Sequence, residues 1–168
     1  MTASDEIFSK VTEAGFTKEA ACALLANLQA ESALTSNNLE DTKNRALGLT
    51  DEQYTAKVDD WSYRNFAADS AGYGIAQWTW GPRKQNLLDY ARAQGKSIGD
   101  LGMQIDFLLH EMKTSFSGCW NVCMSSHDLY EITRKLLYEW ENPLEKENNL
   151  RVRYGYAQNW MKQYENYT

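Results

Sequence analysis

The sequence predicts a mainly α-helical domain, interrupted once by a polar loop region that carries a small β-hairpin. Three observations lead there. Apolar residues recur at helical spacing over most of the 168 residues. Residues 33–80 are instead rich in Asn, Asp, Thr, Ser and Gly. Inside that stretch, Gly72-Tyr73-Gly74-Ile75-Ala76-Gln77-Trp78 alternates as a hairpin does.

Taken in order, residues 5–14 fit a short helix that Gly15 stops. Thr17 suits the N-cap of the next helix, which runs to about Glu31. Ala20, Leu24, Leu25 and Leu28 keep helical spacing, while Ala23, Ala26 and Ala30 make the other side small rather than charged. A helix apolar or small nearly all round belongs in the middle of a domain. The polar stretch 33–80 reads as one long loop, with residues 63–66 and 73–78 as short strands. A loop this long is usually functional.

Gly81-Pro82 opens another helix, since proline suits the first turn. Leu87, Leu88 and Ala91 give it a face, and Gly95 ends it. Ser97 is the expected cap of a helix bearing Ile98, Leu101, Ile105, Leu108, Leu109 and Met112. The next begins near Ser126 and carries Leu129, Ile132, Leu136 and Trp140 before Pro143. A last helix covers about residues 148–163.

With 43% hydrophobic and 12% aromatic residues, the chain can fill a core. It shows no internal repeat or linker, so residues 1–168 are expected to form one domain, in one reading excised from a larger protein. The net charge of −6, without a Lys/Arg cluster, argues against nucleic acid as a partner. No signal peptide opens the chain. No apolar run approaches the roughly 20 residues that span a bilayer, so the expected protein is soluble, with no membrane partner.

Three cysteines, Cys22, Cys119 and Cys123, make no disulfide framework. Cys119, Cys123 and His127 are spaced by four, which on a helix suggests a metal set. Zinc sites usually pair such a set with a second one, and none is present. The expectation is therefore no metal and no cofactor, with the two cysteines packing as small apolar residues. A cysteine peptidase, which needs Cys beside His, is the weaker rival reading, since Cys22 sits among alanines and His110 and His127 in helical contexts.

Glu31 falls on the leucine face of its helix, three residues after Leu28. A carboxyl group there is partly desolvated, which raises its pKa. A protonated acid near neutral pH is what glycoside cleavage needs at the leaving oxygen. The structural alternative is a Glu satisfied by an Arg or by the helix end. In the glycine-flanked segment, Tyr73, Gln77, Trp78 and Trp80 offer aromatic faces and an amide, the means of holding sugars, with core packing as the alternative. Trp61 is a further candidate for a sugar subsite.

The pairing of these features resembles the lysozyme superfamily. Glu31-Ser32 is similar to the catalytic motif of goose-type lysozymes and soluble lytic transglycosylases, and Gly74-Ile75-Ala76-Gln77 to their second motif. Ala26-Asn27-Leu28-Gln29-Ala30-Glu31-Ser32, the string from Gly72 to Thr79, Arg83-Lys84 before Leu87-Leu88, and Ser97-Ile98-Gly99-Asp100-Leu101 leading to Gln104 most resemble the phage tail lysozyme family. The likeness covers about residues 10–160.

The resemblance implies a lysozyme-like fold with a small β-hairpin beside the active-site cleft. It implies peptidoglycan as partner and cleavage of the β-1,4 bond between N-acetylmuramic acid and N-acetylglucosamine, with Glu31 as general acid. It also implies work on a phage tail or other wall-penetrating machinery, virion-associated or released at the cell wall. Asp69 matches an aspartate that precedes the second motif in goose-type enzymes, and is the candidate for orienting or activating the attacking water, with a hairpin-turn residue as the structural alternative. Trp78-Thr79-Trp80 lacks the acid those enzymes carry just after the glutamine, and Asp59 and Asp60 are further candidates on the loop. Ser32 and Asn27 are expected to support the site.

Lytic transglycosylases dispense with water, and their third motif is Ala-Tyr-Asn. Tyr154-Gly155-Tyr156-Ala157-Gln158-Asn159 departs from it, leaving Tyr154 or Tyr156 as candidates to reach the substrate. The rival outside enzymology is a non-catalytic wall-binding tail module, whose mark would be a lost acid.

Overall fold

The computed structural model describes residues 1–143 and 146–167. Its helices are α1 (Ala3–Glu13), α2 (Lys18–Ser32), α3 (Asp41–Leu47), α4 (Asp51–Asp59), α5 (Gly81–Ala93), α6 (Leu101–Ser115), α7 (Ser117–Ser125), α8 (Leu129–Lys135), which runs on as a π-helix over Leu136–Glu141, and α9 (Lys146–Gln163). They form two units, one of Met1–Leu34 with Leu108–Thr168 and one of Thr35–Phe107. No helix among the described residues is long and apolar enough to cross a membrane.

In the first unit α2 is the axis. Every residue from Ala20 to Leu28 is buried, and α1, α7, α8, the π-helical turn and α9 all pack on it. Full burial of Leu24, Leu25 and Leu28 stabilises the unit by roughly 2 kcal/mol each. The alanine stripe lets neighbouring helices close on the remaining sides. Thr17 caps α2 as expected, its Oγ1 accepting from Ala20 N at 3.1 Å and donating to the Ser126 carbonyl at 2.8 Å. Cys119 and Cys123 lie one turn apart on α7 and both point inward.

The second unit departs from the expected long loop, for two helices, α3 and α4, form within it. Helix α4 opens on a capping box, in which Thr50 Oγ1 accepts from Gln53 N and Gln53 Oε1 accepts from Thr50 N. Only Tyr54 and Val58, one turn apart, are buried on it, too few for hydrophobic spacing to announce a helix. Residues 63–66 form no strand. Helix α6 starts at Leu101 with Asp100 accepting from Met103 N at 2.8 Å, three residues later than a Ser97 cap would give. Ser97 Oγ instead donates to Asp59 Oδ2 at 2.5 Å.

The expected β-hairpin is reduced to isolated bridges. Among the described residues the β-type pairings are Leu39 with Tyr73 and Tyr73 with Trp78. Both arms are cut short. Ser70 bends the entering chain at φ +56°, and α5 begins at Gly81 with Pro82 in its first turn, which cannot donate to a ladder. Between the bridged residues, Gly74 at φ +86° and Gln77 at φ +52° close a tight turn. Fully buried Gln104 clamps it, accepting from Ile75 N at 2.9 Å and donating to the carbonyls of Ser36 and Ile98 at 2.7 Å each.

Candidate active site

Two carboxylates singled out by the sequence have well-defined surroundings, one in each unit. Glu31 stands in the last turn of α2, just before Ala33 and Leu34 turn left-handed at φ +52° and +62° and end the helix. Its side chain is 18% exposed and pairs with Arg153 of α9, whose Nη2 donates to Glu31 Oε1 at 2.5 Å. Arg153 Nη1 donates to Asn27 Oδ1 at 2.9 Å, and Asn27 Nδ2 donates to the Ala23 carbonyl at 2.9 Å. The guanidinium is thus fixed to the same helix that carries the glutamate. The last turn of α2 has no basic residue of its own, although a cation there would complement the helix dipole. Arg153 supplies it.

Sequence reasoning offers an Arg only in general terms as the structural alternative for Glu31, and misses Arg153. A signal is present. Arg153 lies three residues after Leu150 and four before Ala157, both buried, so it sits on the inward face of α9, where a charged residue requires a partner. Ser32 is also buried, and its hydroxyl donates back to the Leu28 carbonyl at 3.1 Å. Tyr154 is half-buried, with its ring edge-on to Tyr130 at 5.2 Å.

Asp69 has a different environment. Lys84, fully buried on α5, donates to its Oδ1 at 2.6 Å, and Ala71 N donates to the same oxygen at 3.0 Å. Tyr54 and Tyr63 donate to Oδ2 at 2.6 and 2.8 Å. Burial alone would raise the Asp69 pKa, but the bonds from Lys84, Tyr54 and Ala71 N outweigh it and hold the carboxylate below its ordinary range. Burial, with the Asp69 charge beside them, pushes both tyrosine hydroxyls up, so they remain donors. The ammonium of Lys84 is further satisfied by the Ala71 carbonyl at 2.7 Å and lies 4.3 Å from the Phe66 ring centroid.

In the glycine-flanked turn, Tyr73 and Trp78 are enclosed, at 0% and 1% exposure. Tyr73 shares a hydrogen bond with Thr55 Oγ1 at 2.5 Å, and Trp78 meets Phe107 edge to face. They support the turn from within. Gln77 is half-buried and donates from Nε2 to the carbonyls of Asn38 and Gly74 at 2.9 and 3.0 Å. Asp59 accepts from Ser97 Oγ and Ile98 N, and Asp60 from Ser62 N.

Among the described residues no three His, Cys, Asp or Glu side chains are grouped to hold a metal ion. His127 lies beyond α7 and bonds Glu19 Oε1 at 3.0 Å. Burial pushes the Cys22 thiol up to about 12, the reverse of what a thiolate nucleophile requires.

No curated protein matches the chain in sequence. A family model, phage tail lysozyme, matches residues 2–164. With nearly the whole chain covered and the Glu31-Ser32 and Gly74-to-Gln77 segments inside the match, the protein belongs to the phage tail lysozyme family.

Proposed function

We propose that the protein is a muramidase, hydrolysing the β-1,4 bond between N-acetylmuramic acid and N-acetylglucosamine with Glu31 as general acid. Membership of the family implies a lysozyme-like, cell-wall lytic function with peptidoglycan as substrate. The observation that carries the finer reading is Glu31 itself, a carboxyl group largely withdrawn from water at the end of a buried helix and fixed by a buried guanidinium. A group that protonates the leaving oxygen must be held in one place beside the substrate, and the Arg153 contact holds Glu31 so.

Ser32 and Asn27 support Glu31 from its own helix, while Gln77 and Tyr154 are the proposed substrate contacts. Tyr73 and Trp78 act behind the turn that presents Gln77. Association with a phage tail or similar wall-penetrating machinery, as part of the virion or released at the wall, completes the reading.

In the hydrolytic route Asp69 orients the attacking water. A carboxylate held ionised by four donors is a weak proton acceptor, so its part is to orient rather than to deprotonate. The same closed shell favours a second reading, lytic transglycosylation, in which the 6-hydroxyl of muramic acid attacks and Glu31 serves as acid and then base. Mass spectrometry of digests of purified peptidoglycan separates the two: reducing muramic acid ends support hydrolysis, and 1,6-anhydro ends overturn it. Intact peptidoglycan after digestion would point instead to a binding module.

A further inference from the structure

The residue that follows a helix C-cap is commonly glycine, because the chain there turns left-handed. After α4 that position is Trp61, at φ +70°. Local bonds hold it there. Trp61 N donates to the Val58 carbonyl at 3.2 Å, Asp60 Oδ1 accepts from Ser62 N at 2.8 Å, and Arg64 Nε donates to the Trp61 carbonyl at 3.4 Å. A bulky residue in this region of the backbone is strained, and such strain gathers at binding sites.

Burial does not offset the strain, for Trp61 is 56% exposed. It is nevertheless rigidly presented. The Arg92 guanidinium lies 3.4 Å from the ring centroid and stacks on the indole. The ring walls a recess of about 440 Å³ that Leu88, Arg92, Lys96 and Ser97 also line. That volume falls within the roughly 300–1,000 Å³ of small-ligand sites. Asp59 ties the two sides of the recess together, accepting from Ser97 Oγ at 2.5 Å and from Ile98 N at 3.0 Å.

We propose that this recess is a saccharide-binding site, in which an N-acetylated pyranose packs against the exposed part of the Trp61 indole while Lys96 donates to its hydroxyl and amide oxygens, Arg92 holding the ring in place. A flat aromatic face with donors at its edge suits a sugar, which offers apolar C–H groups on one face and oxygens around its rim. The proposal rests on the glycan-cleaving reading for its ligand class and adds a holding site that the proposed mechanism does not use.

The test titrates Glu31→Gln protein with chitohexaose, an uncharged N-acetylated glycan, and follows binding by calorimetry and by the Trp61 indole N–H signal in NMR. The proposal expects Trp61→Gly to weaken binding at least tenfold with Tm unchanged or raised, since glycine suits the backbone at this position. Trp61→Tyr should bind within about threefold of the parent, and Trp61→Asn should bind as poorly as the glycine variant. Affinity that ignores Trp61, or that follows Tm rather than aromatic character across the three variants, overturns the proposal. So does an equal response of the Trp61 signal to inorganic phosphate, which would mark a simple anion site. Turnover of peptidoglycan by the unsubstituted protein is measured separately. Cleavage with Trp61-independent binding sinks this inference alone, whereas Trp61-dependent binding without cleavage sinks the muramidase reading alone.

Discussion

Arg153 reaches from α9 to grip both Glu31 and Asn27 on α2, with Nη2 on the Glu31 carboxylate and Nη1 on the Asn27 amide oxygen. One side chain therefore fixes the proposed acid relative to the helix that bears it. Removing either end of this contact has separable consequences.

Glu31→Gln keeps an oxygen acceptor for Arg153 but cannot give a proton. Lytic activity on purified peptidoglycan should fall about 10²–10⁴-fold, while circular dichroism keeps the parent's helical signature and the melting temperature drops, because the buried Arg153 charge loses its counter-charge. Full activity in this variant would remove Glu31 from the mechanism.

Arg153→Ala leaves a mostly buried carboxylate and the Asn27 amide oxygen without their donor. Breaking a buried ion pair from one side costs roughly 3–5 kcal/mol, to be read as a lower urea midpoint. With Glu31→Gln in the background the loss should be markedly smaller, because no charge is stranded. Additive costs in the double variant would mean that the pair is not energetically coupled.

For Asp69→Asn the effect depends on pH. The folded pKa of Asp69 lies below its ordinary value, so its stabilisation is fully present above an unfolded value of about 3.9 and is lost as pH falls through the lower folded value. At pH 7 the variant strands buried Lys84 and should lose roughly 3 kcal/mol or more. As pH falls below about 3.9 the gap from the parent should narrow. Urea unfolding across this pH range measures it, and a gap of constant size would refute the assignment.

Gly74→Ala should be far more harmful than Gly48→Ala. Both sites have positive φ, at +86° and +67°, but a Cβ at Gly74 would come within 2.9 Å of the Gln104 amide and 3.1 Å of the Trp78 ring, whereas at Gly48 it meets nothing within 4 Å. Gly48→Ala should cost about 1 kcal/mol for the left-handed backbone alone. Gly74→Ala adds displacement of the Gln104 clamp and should exceed about 2 kcal/mol, as differential melting will show.

The long apolar helices were legible because hydrophobic spacing reports burial directly, and the position of Glu31 at the end of α2 follows from that spacing. Helices α3 and α4 were not, since one buries nothing and the other two residues. The clearest trace of α4 was the Thr50–Gln53 capping box, a local signal inside a polar stretch. The ion pairs were the least legible part. Lys84 stands three, four and seven residues before Leu87, Leu88 and Ala91, on the apolar face of α5, and so called for a buried anion without naming Asp69. Which partner answers such a charge depends on tertiary contacts that spacing does not encode.

The first unit is assembled from both ends of the chain, and Glu31 meets its guanidinium across 122 positions of sequence. During synthesis α2 leaves the ribosome long before α9 exists, so the proposed acid must wait for 122 further positions before its electrostatic partner arrives. The segment Thr35–Phe107 is contiguous and closes its own contacts earlier. A nascent chain arrested before Arg153 would carry a glutamate not yet anchored, so the proposed acid is positioned only once α9 has been made.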